Sequence, residues 1–304
     1  MEITSYDSIM ERARTLKKRG VAAVAGAADR HVIEATLEAR ELGVAEPLFI
    51  GDAAKIKGIL REMGLNPSEF RVEGQLPGMN APETAVEIIK AGEADFIMKG
   101  MVETSDLMRP VVKKENDLRT GRNMSHLSFN ILPAYHKLIV LTDGGMTPYP
   151  DLAKKKDIVA NVVNTLHTLG YESPKVACLC CKETVDEKMP ETTDARALQE
   201  MSLAGEFGAC EVVGPVSFDI AFSKEIAQIK GFEGPHCGNF DVVLVPNIHA
   251  GNILGKCWVV WGKSTMTGFV VGAKIPIVLT SRGSSAQEKY LALALSSVVT
   301  GAFN

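Results

Sequence analysis

VAAVAGAADRHVIEATLEARELGVAEPLFIGD, residues 21–52, decides the fold. VAAVAGA (21–27) is a short apolar run of strand length. HVIEATLEARELG then spaces its apolar residues by three and four, as a helix requires, and closes on Gly43. EPLFIGD (46–52) is strand-like again, and AAKIKGILREMG (53–64) repeats the helical spacing. The order recurs in EFRVEG (69–74) and APETAVEIIKAGEA (81–94), where Pro82 suits a first turn and Glu83 suits the helix dipole. DFIMKG (95–100) and TSDLMRPVVKKEN (104–116) complete a further strand and helix. Strands alternating with helices in this way imply a parallel sheet covered by helices.

The second half resumes the pattern. KLIVLTDGG (137–145) precedes the helix DLAKKKDIVANVVNTLHTLG (151–170), and PKVACLCC (174–181) precedes a helix around TDARALQEMSLAG (193–205). CEVVGP (210–215), SKEIAQIKG (223–231) and DVVLVPNIHAGN (241–252) follow, and a strand–turn pattern ends in FVVGAKIPIVLTS (269–281). The fold class is α/β. The last ~30 residues are expected to return to the first part, which gives two domains. One is built from 1–130 plus 269–304 and the other from 131–268, with boundaries near the loop 116–136 and near 268.

Composition narrows the function. The 304 residues are 46% hydrophobic and 23% charged, enough for a large core, and the net charge of −4 argues against a nucleic-acid surface. No stretch reaches the roughly 18 apolar residues a membrane helix needs. The opening MEITSYDSIMERARTLKKRG reads as an amphipathic helix without the apolar core of a secretory signal, so no membrane partner and a cytoplasmic location are expected. Six cysteines and six histidines show no metal-ligand spacing, and reduced thiols acting as small hydrophobes are expected at CLCC (178–181).

Ligands in open α/β sheets lie beyond the carboxyl ends of the strands, so the residues after each strand are candidates. IVLT is followed by Ser281, Arg282, Gly283, Ser284 and Ser285 at the mouth of a helix, with Glu288 in its first turns. A helix N-terminus offers N–H groups, and arginine adds a fork suited to phosphate or carboxylate. LRTGRNMSH (118–126) gathers Arg119, Thr120, Arg122, Ser125 and His126 around a glycine, either as an anion site or as a solvated basic loop. Arg109, Asp143 with Gly144, and Asn252 with Lys256 follow other strands. No GxGxxG, Walker A loop or GxSxG elbow is present. That points away from P-loop kinases and serine hydrolases, towards a small phosphorylated or carboxylated substrate.

Several blocks taken together resemble one family. They are KGMVETSDLMRPVVKKENDLRTGRNMSH (99–126), LTDGGMTPYPDLAKKKDIVANVVN (141–164), PKVACLCCKETVDEKMPETTDA (174–195), VVGPVSFDIAFS (212–223), VLVPNIHAGNILGK (243–256) and GAKIPIVLTSRGSS (272–285). In collinear order over roughly residues 20–300, they resemble the phosphate acetyl/butyryltransferase family. The chain's length and LRTGRNMSH are most similar to its butyryl branch, the phosphate butyryltransferases. The resemblance implies a two-domain fold like that of the isocitrate/isopropylmalate dehydrogenases, with parallel-rich sheets and the active site in an interdomain cleft. It implies reversible conversion of acyl-CoA and inorganic phosphate to acyl phosphate and CoA. No metal and no permanently bound cofactor take part, coenzyme A is a substrate, and the enzyme is a homodimer or higher homo-oligomer.

The resemblance also assigns roles. Ser281 donates to the carbonyl oxygen as it gains charge, and Arg282 holds the phosphoryl group. Glu288 stands where the family's acetyl enzymes place an aspartate, the base for the CoA thiol. Cleft arginines lowering the thiol's pKa are the alternative source of that thiolate. Arg109 and one of Arg119 or Arg122 contact phosphate or the CoA phosphates, with Thr120 and Ser125 as hydroxyl ligands. Asp143 marks a loop closing on the acyl group, Gly144 leaves room there, and Asn252 and Lys256 complete the cleft. Butyryl-CoA is the expected substrate. The alternatives are phosphate acetyl transfer, a non-catalytic acyl-CoA-sensing domain, the acyl-phosphate-forming acyltransferase of phospholipid synthesis, or a dehydrogenase.

Overall fold

A computed structural model describes residues 3–279 and 284–301 of the chain. Ser281, Arg282 and Gly283 lie outside the described residues. The chain divides into two compact units, one formed by Tyr6–Gly121 with the stretch that starts at Thr267, the other by Arg122–Met266 with the first few residues.

The first unit runs α1 (Tyr6–Arg14), β1 (Gly20–Ala25), α2 (Arg30–Glu41), β2 (Ala45–Gly51), α3 (Ala53–Glu62), β3 (Arg71–Gly74), α4 (Ala81–Lys90), β4 (Phe96–Lys99) and α5 (Thr104–Val112). Short side chains set the starts of these helices. Asp29 accepts from Val32 N, Asp52 from Lys55 N, and Asn80 forms a reciprocal capping box with Glu83. The helix expected over residues 1–20 runs from Tyr6 to Arg14, and the one from Thr104 ends at Val112 rather than Asn116.

The second unit contributes β5 (Ser125–Ile131), β6 (Ile139–Thr142), α6 (Leu152–Thr168), β7 (Lys175–Leu179), α7 (Pro190–Leu203), β8 (Glu211–Val216), α8 (Phe218–Phe222), α9 (Lys224–Ile229), β9 (Val242–Leu244) and α10 (Ile248–Val260). The chain ends with β10 (Thr265–Val271), β11 (Ile277–Val278) and α11 (Ala286–Gly301). In the first unit the strand order is β3-β2-β1-β4-β11-β10, parallel except where β10 meets β11. In the second it is β5-β6-β9-β7-β8, parallel except where β5 meets β6. The mostly parallel α/β architecture follows the sequence pattern.

The cores explain the patterning. Phe49, Phe96, Ile97 and Leu48 are fully buried in the first unit, as their unbroken apolar runs require of central parallel strands. α11 has no polar face: Leu291, Leu295, Ser296 and Ser297 are all buried, and the helix packs on α1, α2 and β1. In the second unit Leu141, Ala177, Val213, Phe240, Val243 and Trp258 share one core.

Two stretches differ from expectation. Residues 116–136, expected to be a loop, contain β5, whose Leu127, Ser128, Phe129 and Asn130 are all buried. Its polar residues hid it. Asn130 is satisfied internally, donating to Ser128 O at 2.8 Å. PNIHAGNILGK, read as a post-strand cluster, is the start of α10. Asn247 caps it by accepting from Ala250 N at 3.1 Å, and Gly251, Gly255 and Trp258 line its buried face. Glycines weaken a helical signal by about 1 kcal/mol each, yet Gly251 lets the helix come close to Gly144.

One buried ion pair holds the starts of three strands in the second unit. Asp241 accepts from the Lys137 ammonium with one oxygen and from Lys175 N, at 2.8 Å, with the other; the two side chains are 4% and 12% exposed. Asp241→Asn leaves that ammonium buried without its counter-charge. Stability is expected to fall by about 3–5 kcal/mol, read as a lower denaturant midpoint at unchanged m-value.

Candidate active site

Beyond the carboxyl end of β6, the segment 143–147 is organised by one carboxylate. Asp143 is 2% exposed. Its Oδ1 accepts from Gly145 N and Met146 N, both at 2.9 Å, and from His126 N at 3.3 Å, while Oδ2 accepts from Thr147 N at 2.9 Å. Four backbone donors occupy the acceptor sites of this carboxylate. Its role is to fold the loop.

Gly144 was expected to leave room for the acyl group. A Cβ at Gly144 would lie 2.9 Å from the carbonyl carbon of Gly251, and one at Gly251 would lie 2.7 Å from Gly144 Cα. The missing side chains are therefore used by backbone packing, which seats the first turn of α10 against the loop. Asn252 N lies beside Gly144 in this contact, and the Asn252 and Lys256 side chains are exposed one turn apart on α10.

The residues leading into β5 and its first residues close the other side. Asn123 N donates to Asp157 Oδ2 at 2.8 Å, and Asn123 Nδ2 donates to Thr147 Oγ1 at 2.8 Å. Ser125, expected as a phosphate ligand, is fully buried, and its Oγ accepts from Asn161 Nδ2 at 3.1 Å. It belongs to the packing of β5 on α6. His126, which the sequence flagged without a role, lies against Gly145. Desolvation lowers the pKa of its imidazole, while the Asp143 charge opposes that shift. Asp157 and Asn161 went unrecognised because mid-helix polar residues read as solvated.

In the other unit, the basic loop pairs with the end of β10. Lys274 N donates to Leu118 O at 2.8 Å, Thr120 Oγ1 to Gly272 O at 2.6 Å, and Arg119 forms a bridge with Ala273. The Arg119 side chain is exposed, as is Arg122. Arg109, on α5, pairs with Asp106 at 3.2 Å. Glu288 is engaged at the start of its own helix. It accepts from Ser285 N at 2.9 Å, and Ser285 Oγ accepts from Glu288 N at 3.2 Å, a reciprocal capping box. Ser281 and Arg282, the strongest expectations, fall outside the described residues.

Among the described residues no cluster of His, Cys, Asp and Glu is placed to hold a metal ion. The six cysteines are unpaired, and burial raises the Cys178 thiol strongly and pushes Cys180 up to about 12, which keeps both as thiols.

Known proteins share this sequence and fold. The family model described as Phosphate acetyl/butaryl transferase matches residues 73–297. The phosphate butyryltransferase of Clostridium acetobutylicum is 38% identical over 98% of this chain and 99% of its own. The phosphate acetyltransferase of Thermotoga maritima is 36% identical over 96% of this chain and 98% of its own. A solved branched-chain phosphotransacylase from Enterococcus faecalis superposes with a TM-score of 0.80 at 27% identity, covering 92% of this chain and 98% of that one.

Two outcomes test the loop. Asp143→Asn keeps the shape but gives up the charge that four N–H groups share. It should cost about 1.5–3 kcal/mol, with faster hydrogen exchange at the amides of 145–147. His126 titrates below the ordinary histidine value of about 6.5, so the unfolded chain binds its proton first as pH falls. Stability should decline below that pH, and His126→Gln should flatten the slope of melting temperature against pH there.

Proposed function

The chain belongs to the phosphate acetyl/butyryl transferase family, and from that premise we propose that it exchanges a butyryl group between coenzyme A and inorganic phosphate. The observation that carries the reading is the match along nearly the whole length to a phosphate butyryltransferase. The branched-chain acyl group named for a structural relative supports a pocket for more than acetyl. Acetyl transfer is the second reading, favoured by the nearly equal identity to an acetyltransferase. Each methylene in an apolar pocket contributes about 0.8 kcal/mol, so preference among these chains is graded rather than absolute.

Phosphate attacks the thioester carbon, the carbonyl oxygen gains charge, and the thiolate leaves. Ser281 donates a hydrogen bond to that oxygen, and Arg282 grips the phosphate with two parallel N–H donors. Arg109, with Arg119 or Arg122, adds positive charge for the phosphates of the substrates, while Thr120, expected as a hydroxyl ligand, donates its proton to Gly272 O and holds the loop instead. Asn252 and Lys256 are exposed polar groups available to the substrate from α10. Coenzyme A enters and leaves as substrate. In the reverse direction its thiol must ionise, and arginine charge is the reading favoured for this, because the Glu288 carboxylate is engaged in capping α11.

A cytoplasmic location and a homo-oligomer complete the proposal. Unpaired cysteines favour a reducing compartment. Ile253, Val260 and Trp261, the last 80% exposed, leave an apolar strip on and just beyond α10 that a second copy would cover. Among the described residues no helix is long and apolar enough to cross a membrane.

The test is thiol release from acetyl-, propionyl-, butyryl- and isobutyryl-CoA with phosphate. The highest kcat/KM is expected with butyryl-CoA, and equal or better turnover of acetyl-CoA would select the second reading. Ser281→Ala should lower kcat by ~10²-fold with little change in KM. Arg282→Ala should raise the phosphate KM by at least about tenfold. Glu288→Gln preserves an acceptor for Ser285 N, so near-normal kcat at low pH is expected; a loss confined to low pH would return the base to Glu288.

A further inference from the structure

Among the described residues four charged side chains are buried: Asp143, Lys155, Asp241 and Lys289, at 2%, 5%, 4% and 9% exposure. Three of them are matched from within the protein. Asp143 accepts from four backbone N–H groups, Lys155 donates to Asp194 Oδ2 at 2.7 Å, and Asp241 accepts from the Lys137 ammonium. The Lys289 ammonium has no hydrogen-bond or ion-pair partner among the described residues. Burying a charge is costly unless it is paired, so an unmatched one calls for a partner the chain does not supply.

The position of Lys289 says what that partner is. It lies one turn into α11, and its own N–H donates to Ser285 O at 3.2 Å. Side chains on a helix lean towards its N-terminus and cover the preceding turn, so the ammonium is carried back towards the start of α11. The helix dipole is positive at that end. A lone cation is unfavourable there, and an anion is favoured by dipole and cation together. Ser285 N and Glu288 N are taken by the reciprocal cap, whereas Ala286 N and Gln287 N have no partner among the described residues. Glu288 is not the missing anion, because adjacent residues on a helix do not face each other and its carboxylate accepts from Ser285 N. The turn is also braced from β10, where Thr267, 5% exposed, donates through Oγ1 to Glu288 O at 2.8 Å.

We propose that Lys289 is a further catalytic residue, its ammonium contacting an anionic oxygen of the substrate at the start of α11. Resting on the reading above, that oxygen belongs to inorganic phosphate in one direction and to the phosphoryl group of the acyl phosphate in the other. The protein then leaves one buried charge unmatched because the substrate completes the pair.

Lys289→Met tests this, since it keeps a buried apolar stem and removes the charge. Its melting temperature should equal or exceed that of the unmodified protein, because no partner within the chain is lost. The KM for phosphate should rise by about tenfold while the KM for acyl-CoA stays unchanged, and Lys289→Arg should restore most of the loss. Inorganic phosphate alone should raise the melting temperature of the unmodified protein and leave that of Lys289→Met unmoved. Lys289→Gln gives the same comparison if the methionine variant does not fold. An unchanged phosphate KM, or a rise confined to acyl-CoA, overturns the proposal and shows a stem packed for stability with its ammonium in water. Failure of the transferase reading shows separately: the unmodified protein forms no acyl phosphate from any acyl-CoA, while phosphate still raises its melting temperature through Lys289.

Discussion

At the carboxyl ends of the strands in both units, backbone meets backbone at separations no side chain permits. Gly26 and Gly100 do this in the first unit, Gly144 and Gly251 in the second. The consequence is structural before it is chemical. A Cβ at any of these positions would push a strand-end turn away from its neighbour, and the turns carry the polar groups on which the proposed chemistry depends. Packing this tight has two discrete outcomes, fitted or displaced, because interiors are close-packed and do not yield gradually.

The same turns use up their carboxylates. Asp143 is surrounded by four N–H donors, Asp52 caps α3, and Glu288 caps α11. These acids fix geometry. What is left to act on a substrate is a set of donors and permanent cations. That composition fits a reaction whose difficulty lies in stabilising charge on a carbonyl oxygen and on a leaving sulfur, for which preorganised donors are the larger contribution. It fits less well a reaction that needs a carboxylate to abstract a proton from carbon.

The alternating β–α pattern was legible in 21–52 because central parallel strands are buried on both faces and their runs are unbroken. β5 was not, because Ser128 and Asn130 interrupt its apolar run while satisfying each other inside the sheet. α10 was not, because Gly251 and Gly255 argue against helix locally, and of the two Gly251 is required by close packing against Gly144. In the site, the arginines and hydroxyls of LRTGRNMSH were visible as chemistry, but their division of labour was not. Ser125 turns into the protein towards Asn161 while Thr120 bonds the chain at Gly272, a distinction that follows from which residues begin β5. The SxxE spacing of Ser285 and Glu288 carried a capping box as plainly as a base.

Parts of the coenzyme remote from the thioester bear on catalysis as well. Binding energy gained at a non-reacting group can be expressed as rate when it holds the reacting group in register, since positioning removes translational and rotational freedom that the bimolecular reaction must otherwise lose. Acyl length then has to be discriminated elsewhere and weakly, by methylenes worth about 0.8 kcal/mol each. The nucleoside, common to every acyl-CoA, contributes affinity without regard to chain length. A division of this kind lets one scaffold serve acetyl, butyryl and branched substrates with few changes, which accords with relatives of differing acyl name at nearly equal identity.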